Sequence, residues 1–152
     1  MKKFLCTVLL AAIMCTLCAC GGDEKAKSAD LPAVMAKFNM SSEMYTLTQD
    51  DLLDIYGIER ADVKQYAART HSSGLTCDEV VLVEAADKKA AARVKKALDN
   101  RYQNKLNETQ NYLPEEYAVI KTCKVYEDGN YIAMIVGHQA ADWVKIYNES
   151  FR

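Results

Sequence analysis

The chain has 152 residues and a formal net charge of −2, with 50 % of its residues hydrophobic and 26 % charged. That length and balance fit one domain around a single core and exclude a chain too polar to fold. Charges of both signs are interspersed without a basic block, which argues against nucleic acid or an anionic membrane patch as partner.

Met1-Lys2-Lys3 opens the chain with positive charge, and Phe4 to Ala19 carries no charge at all. About 16 residues of helix rise roughly 24 Å, short of the roughly 30 Å hydrocarbon core, so residues 1–19 read as a cleaved signal peptide rather than a membrane anchor. Leu17-Cys18-Ala19-Cys20 resembles the bacterial lipobox, with Cys18 where serine, alanine or threonine is more usual. The resemblance implies that Cys20 receives a diacylglycerol and becomes the first residue after cleavage. Cys6, Cys15 and Cys18 are then small apolar residues of the discarded segment. Two acyl chains, at about 0.8 kcal/mol per buried methylene, hold a protein on a bilayer where one is marginal. The expected location is the outer face of a bacterial cytoplasmic membrane.

Residues 20–30 follow as the lipidated cysteine and a polar tether without apolar periodicity, and residues 31–152 form the expected single domain. Leu31, Val34, Met35 and Phe38 recur at helical spacing behind Asp30 as N-cap, with Pro32 in the first turn. Thr48 and Asp51 make a capping box, Leu47 and Leu52 a hydrophobic staple, and Gly57 stops that second helix. Asp50 and Asp51 lie where the helix dipole favours negative charge, so with Asp54 they need no calcium ion to explain them.

Val63 to Arg69 reads as a strand, His71-Ser-Ser-Gly74 as its turn, and Cys77 to Glu84 as a β-branched partner strand. A long helix starts near Asp87. Ala91, Val94, Leu98, Tyr102 and Leu106 line its apolar face, Lys88, Lys89, Lys95, Lys96 and Asp99 its solvated one, and it ends before Pro114. Val119 to Tyr126 and Tyr131 to Val136 flank Asp128-Gly129, the pair a tight hairpin turn requires. Tyr131 to Val136 is apolar on both faces, as a central strand should be. Ala140, Trp143, Val144, Tyr147 and Phe151 form the stripe of a closing helix. The predicted fold is α+β, with a four-stranded mainly antiparallel sheet, helices packed on one face, and element order α-α-ββα-ββα.

The region after the tether resembles the lipoprotein family called domain of unknown function 4358. The residues that carry the resemblance are Tyr56-Gly57-Ile58, Asp78-Glu79-Val80, Arg101, Tyr112-Leu113-Pro114 and Gly129-Asn130-Tyr131. It implies a lipoprotein of Gram-positive anaerobes and brings no assigned activity.

The six glycines cannot compose a nucleotide loop, and no HExxH or GxSxG motif occurs. His71 and His138 are the only imidazoles, and a solvated loop position accounts for each. No enzyme, cofactor or metal site is expected. Nine tyrosines and one tryptophan are a surplus for a small domain, and tyrosine serves interfaces with wide contact at low rotamer entropy. Tyr112, Tyr117, Tyr126 and Tyr131 are therefore the candidate binding surface. Cys77 and Cys123 fall one in each hairpin. A disulfide requires facing Cβ vectors within a few ångströms, which regularly paired strands often lack, and the resemblance implies an organism that avoids such bonds. Two buried thiols are preferred to a pair. The functional expectation is a membrane-anchored, non-catalytic binding or accessory module of the cell envelope, engaging a protein, wall polymer or small solute. The alternative is an enzyme of unrecognised type.

Overall fold

A computed structural model describes residues 28–151. The signal peptide, the lipobox and Cys20 lie outside the described residues. In chain order the elements are α1 (Leu31–Met35), β1 (Met44–Thr46), α2 (Gln49–Tyr56), a 3-10 turn (Arg60–Asp62), β2 (Val63–His71), β3 (Glu79–Ala85), α3 (Lys88–Thr109), α4 (Pro114–Ile120), β4 (Lys124–Asp128), β5 (Tyr131–Val136) and α5 (Ala140–Glu149). The strands form one antiparallel sheet in the order β1-β2-β3-β5-β4.

Local chemistry accounts for most boundaries. Thr48 accepts from the Asp51 amide while the Asp51 carboxylate accepts from the Thr48 amide, and Gly57 ends α2 at φ 69°. Asp87 caps α3 by accepting from the Ala90 amide. Gly129 turns the β4–β5 hairpin at φ 62°, a conformation that costs a residue with a Cβ but not glycine. Every residue of β3 and of β5 is buried; each valine, leucine or isoleucine so enclosed contributes about 1.5–3 kcal/mol relative to exposure.

The α+β class and the antiparallel sheet agree with expectation, and three details differ. The sheet has five strands rather than four. The extra strand is the short edge β1, paired to β2 from Met44↔His71 to Thr46↔Arg69, too brief to show an alternating pattern. Val119 and Ile120, expected to open a strand, close helix α4 instead, because Pro114 is not only a stop for α3 but the first residue of a new helix. The helices cover both faces of the sheet rather than one. Glu79 of β3 meets α2 and α3 through Tyr56, Arg101 and Lys105, whereas Glu84, on the opposite pleat, shares its side with α1 and α5.

Packing also begins before Leu31. Ala29 is buried, its amide donates to the Tyr131 hydroxyl, and its carbonyl accepts from Gln65. Asp30 caps α1 through the Ala33 amide. Trp143 of α5, fully enclosed, stacks with Phe38 at 6.0 Å between ring centroids. None of the helices among the described residues is long and apolar enough to cross a membrane.

Candidate functional site

The last two turns of α3 continue its buried stripe with charge. Counting from Ala91, Val94 and Leu98, the next inward positions are Arg101 and Lys105, so both cations face the sheet. Lys105 is 7 % exposed. They meet Glu79, the first residue of β3, whose carboxylate accepts from Arg101 Nε at 2.9 Å, Arg101 Nη2 at 2.8 Å and Lys105 Nζ at 2.9 Å. The Tyr56 hydroxyl, from the last residue of α2, donates to the same carboxylate at 2.9 Å.

Burial pushes the Glu79 carboxyl up, but the hydrogen bonds and charges of Arg101 and Lys105 outweigh it and hold the group at about 2. Burial raises the Tyr56 phenol well above its ordinary value, and the Glu79 charge adds to the shift. Its hydrogen bond to Glu79 also raises Arg101. The cluster is thus one anion and two cations, with the phenol kept neutral.

These groups form the floor of a cleft of about 640 Å³ between β1, α2, the loop of residues 72–77 and the end of α3. Its walls include the hydroxyl side chains Thr70, Ser72, Ser73, Thr76 and Thr109. Around its mouth stand Tyr45, Ile55, Leu75 and Tyr112, exposed by 49 %, 42 %, 74 % and 85 %. Of the large apolar side chains most exposed among the described residues, only Leu53 lies elsewhere. Glu108 is also on the wall, exposed to solvent, and its charge acts on Arg101 more weakly than that of Glu79.

The tyrosines singled out in the sequence do not form one surface. Tyr112 is the open one, and it belongs to the cleft. Tyr117, on α4, is half-buried under Lys121, whose Nζ is 4.6 Å from the ring centroid. Tyr126, on β4, is half-buried beside Lys124, at 5.0 Å, and lines a separate hollow with Tyr147 and Phe151. Tyr131 is 4 % exposed and packs edge-on against Phe151, so it offers no surface to a partner. Its register opposite Glu84 turns its ring to the α5 side of the sheet.

Cys77 and Cys123 are both buried and unbonded to each other. Burial, and then Glu116, push the Cys77 thiol far above its usual range, which makes the isolated thiol a poor nucleophile. His71 is not in an open turn. Its Nε2 pairs with Glu43 at 3.0 Å and its Nδ1 accepts the Ser73 amide, which fixes it as a strut of the cleft wall.

A family model matches residues 36–137, two thirds of the chain and all of the cleft's lining. The chain belongs to the family described as a domain of unknown function (DUF4358). No curated relative and no solved structure matches it. Within this DUF4358 domain Tyr56, Glu79, Arg101 and Tyr112, which carry the resemblance in the sequence, converge on one cleft. Lys105 was the member that sequence reasoning missed. Its signal was a lysine at the seventh position after the inward-facing Leu98, one turn beyond Arg101 on the same stripe.

Proposed function

We propose that the chain is a lipid-anchored, extracytoplasmic binding module without catalysis, and that its cleft receives a small amphiphilic anion or the anionic end of a larger envelope component. The observation that carries the reading is the pairing of an apolar mouth, Tyr45, Ile55, Leu75 and Tyr112, with a floor holding two cations to one carboxylate. A ligand's apolar body gains by leaving water at the mouth. Its negative group gains from the excess positive charge below, where screening is weaker than in bulk solvent. Anchoring rests on the sequence, through the charged start, the uncharged run and the lipobox before Cys20.

Octanoate and octanol test the site, being nearly equal in apolar length and unequal in charge. Methyl resonances of Ile55 and Leu75 should shift on titration with octanoate at severalfold lower concentration than with octanol. Tyr112→Ala, at a position too exposed to matter for folding, should weaken the octanoate response. Equal response to both, or none to either, overturns the binding reading. The anchor has its own check: a clickable palmitate analogue should label the wild type in bacterial cells and leave Cys20→Ala unlabelled and out of the membrane fraction.

A further inference from the structure

Beside the cleft, three chain segments bring a thiol, a carboxylate and an imidazole together. Cys77 ends the loop before β3, Glu116 lies in the first turn of α4, and His138 follows Gly137 at the end of β5. The ligand atoms of all three lie within 4.8 Å of one another, the one such group among the described residues. His138 Nε2 is 3.0 and 3.2 Å from the two Glu116 oxygens. The Cys77 amide donates to Glu116 Oε2 at 2.7 Å, which fixes the carboxylate against the sulfur's own residue. A second hydrogen bond, from the His138 amide to Asp78 Oδ1 at 3.0 Å, ties the two strand ends together.

An ion pair alone explains why His138 meets Glu116. It does not explain why a buried thiol stands within reach of both. We propose that Cys77, Glu116 and His138 bind a zinc ion, with the fourth position held by water. The donor set of one sulfur, one nitrogen and one oxygen suits a borderline-soft, tetrahedral cation and not calcium or magnesium, which take oxygen. With bonds of about 2.0–2.3 Å, tetrahedral ligand atoms stand roughly 3.3–3.8 Å apart. The imidazole and carboxylate are already close to that separation, and the thiol closes the remainder by a small side-chain shift. Half of the His138 side chain is exposed, so the imidazole is free to adjust and the open position faces solvent.

Binding forms a zinc–sulfur bond and sends the thiol proton to solvent, with no change of oxidation state. The Cys77 amide and Asp78 act as outer supports that orient the ligands. The three segments are the loop before β3, the start of α4 and the end of β5, so the ion would clamp α4 to the sheet. The proposal does not depend on what the cleft binds.

Cobalt(II) added to the full chain under reducing conditions is the test. Wild type should show a thiolate-to-cobalt charge-transfer band and visible bands of four-coordinate intensity, both removed by one equivalent of zinc. His138→Asn, at an exposed position that leaves the fold intact, should lose zinc affinity by at least about a hundredfold, beyond the usual cost of losing an outer partner. Cys77→Ser should remove the part of the charge-transfer band that His138→Asn also weakens, with far-ultraviolet circular dichroism checking that it folds. The full chain also carries Cys6, Cys15, Cys18 and Cys20, so the comparison with His138→Asn separates the cluster from those thiols. If wild type and His138→Asn bind zinc equally, or if wild type shows no band, the site does not exist.

Discussion

Glu79 and Glu84 stand near opposite ends of β3, on opposite faces of the sheet, and both are buried. Their surroundings part company. Glu84 pairs with one lysine, Lys64, whose side chain is 65 % exposed, and with the amide of Gln65. Gln65 in turn holds the Ala29 carbonyl and the Leu31 amide. That carboxylate ends a closed network whose product is mechanical, the docking of the chain's entry onto the sheet. Glu79 instead draws two cations from one helix, Lys105 buried and Arg101 half-buried, and leaves positive charge facing a cleft. Burial of an acid therefore does not mark a functional site. The proposed binding reading rests instead on an unequal count of partners beside open space.

The largest break in the comparison comes from neutralising each acid in turn. Glu79→Gln leaves Arg101 and Lys105 without their counter-charge and should cost about 3–5 kcal/mol in urea unfolding. Glu84→Gln should cost about 1–3 kcal/mol, because Lys64 returns to water and only hydrogen bonds weaken. Equal losses would show that the surplus cation is not strained by its surroundings.

Acid sharpens the contrast. The Glu79 carboxyl is held at about 2 against an ordinary 4.5, a depressed value, so its stabilisation is complete above about pH 4.5 and drains away as pH falls towards 2. Over that window the loss should be on the order of 3 kcal/mol at about 1.36 kcal/mol per unit. In Glu79→Gln this part of the acid dependence should vanish. If the wild-type slope survives in the variant, other carboxylates carry it.

Smaller effects probe the closed end. Gln65→Leu strands the Ala29 carbonyl and the Leu31 amide, and about 1–3 kcal/mol should be lost. Asp30→Ala removes the cap of α1 alone, at about 1 kcal/mol. Thermal unfolding of the two variants would falsify the idea that the entry segment is part of the fold if neither midpoint moved.

Legibility in the sequence followed how local each cause was. The capping box at Thr48, the cap at Asp87, the turn at Asp128-Gly129 and the central strand from Tyr131 were readable because a few adjacent residues determine them. Strand β1 was not, since Met44 to Thr46 pairs only because β2 extends to His71. Helix α4 was misread at Val119 and Ile120, whose β-branched side chains look like strand until Pro114 is taken as a beginning. The site was half visible. Glu79 and Arg101 stood out in the family resemblance, yet only the packing of α3 on the sheet shows that they meet, and Lys105 was not among the residues singled out. Tyrosine count pointed to an interface, but of the four rings singled out only Tyr112 is open, and Tyr45, exposed by 49 % at the same mouth, was not among them.

The β3–β5 pairing has a kinetic consequence. Strands β2 and β3, and likewise β4 and β5, are neighbours along the chain and can pair early. Joining Glu79 to Val136 must instead wait for α3, α4 and β4 to be gathered in. Long loops are costly to close before their contacts repay the lost entropy. The last seam to form is thus the one between the two most apolar strands, and until it does, each hairpin shows the other chains in solution an unpaired edge rich in valine or isoleucine. We predict that Val81→Ala, on the seam, slows refolding in stopped-flow experiments, whereas Met44→Ala, on the outer strand, mainly speeds unfolding. The reverse pattern would mean that the edge assembles first, and that the chain spends little of its folding time exposed to its neighbours.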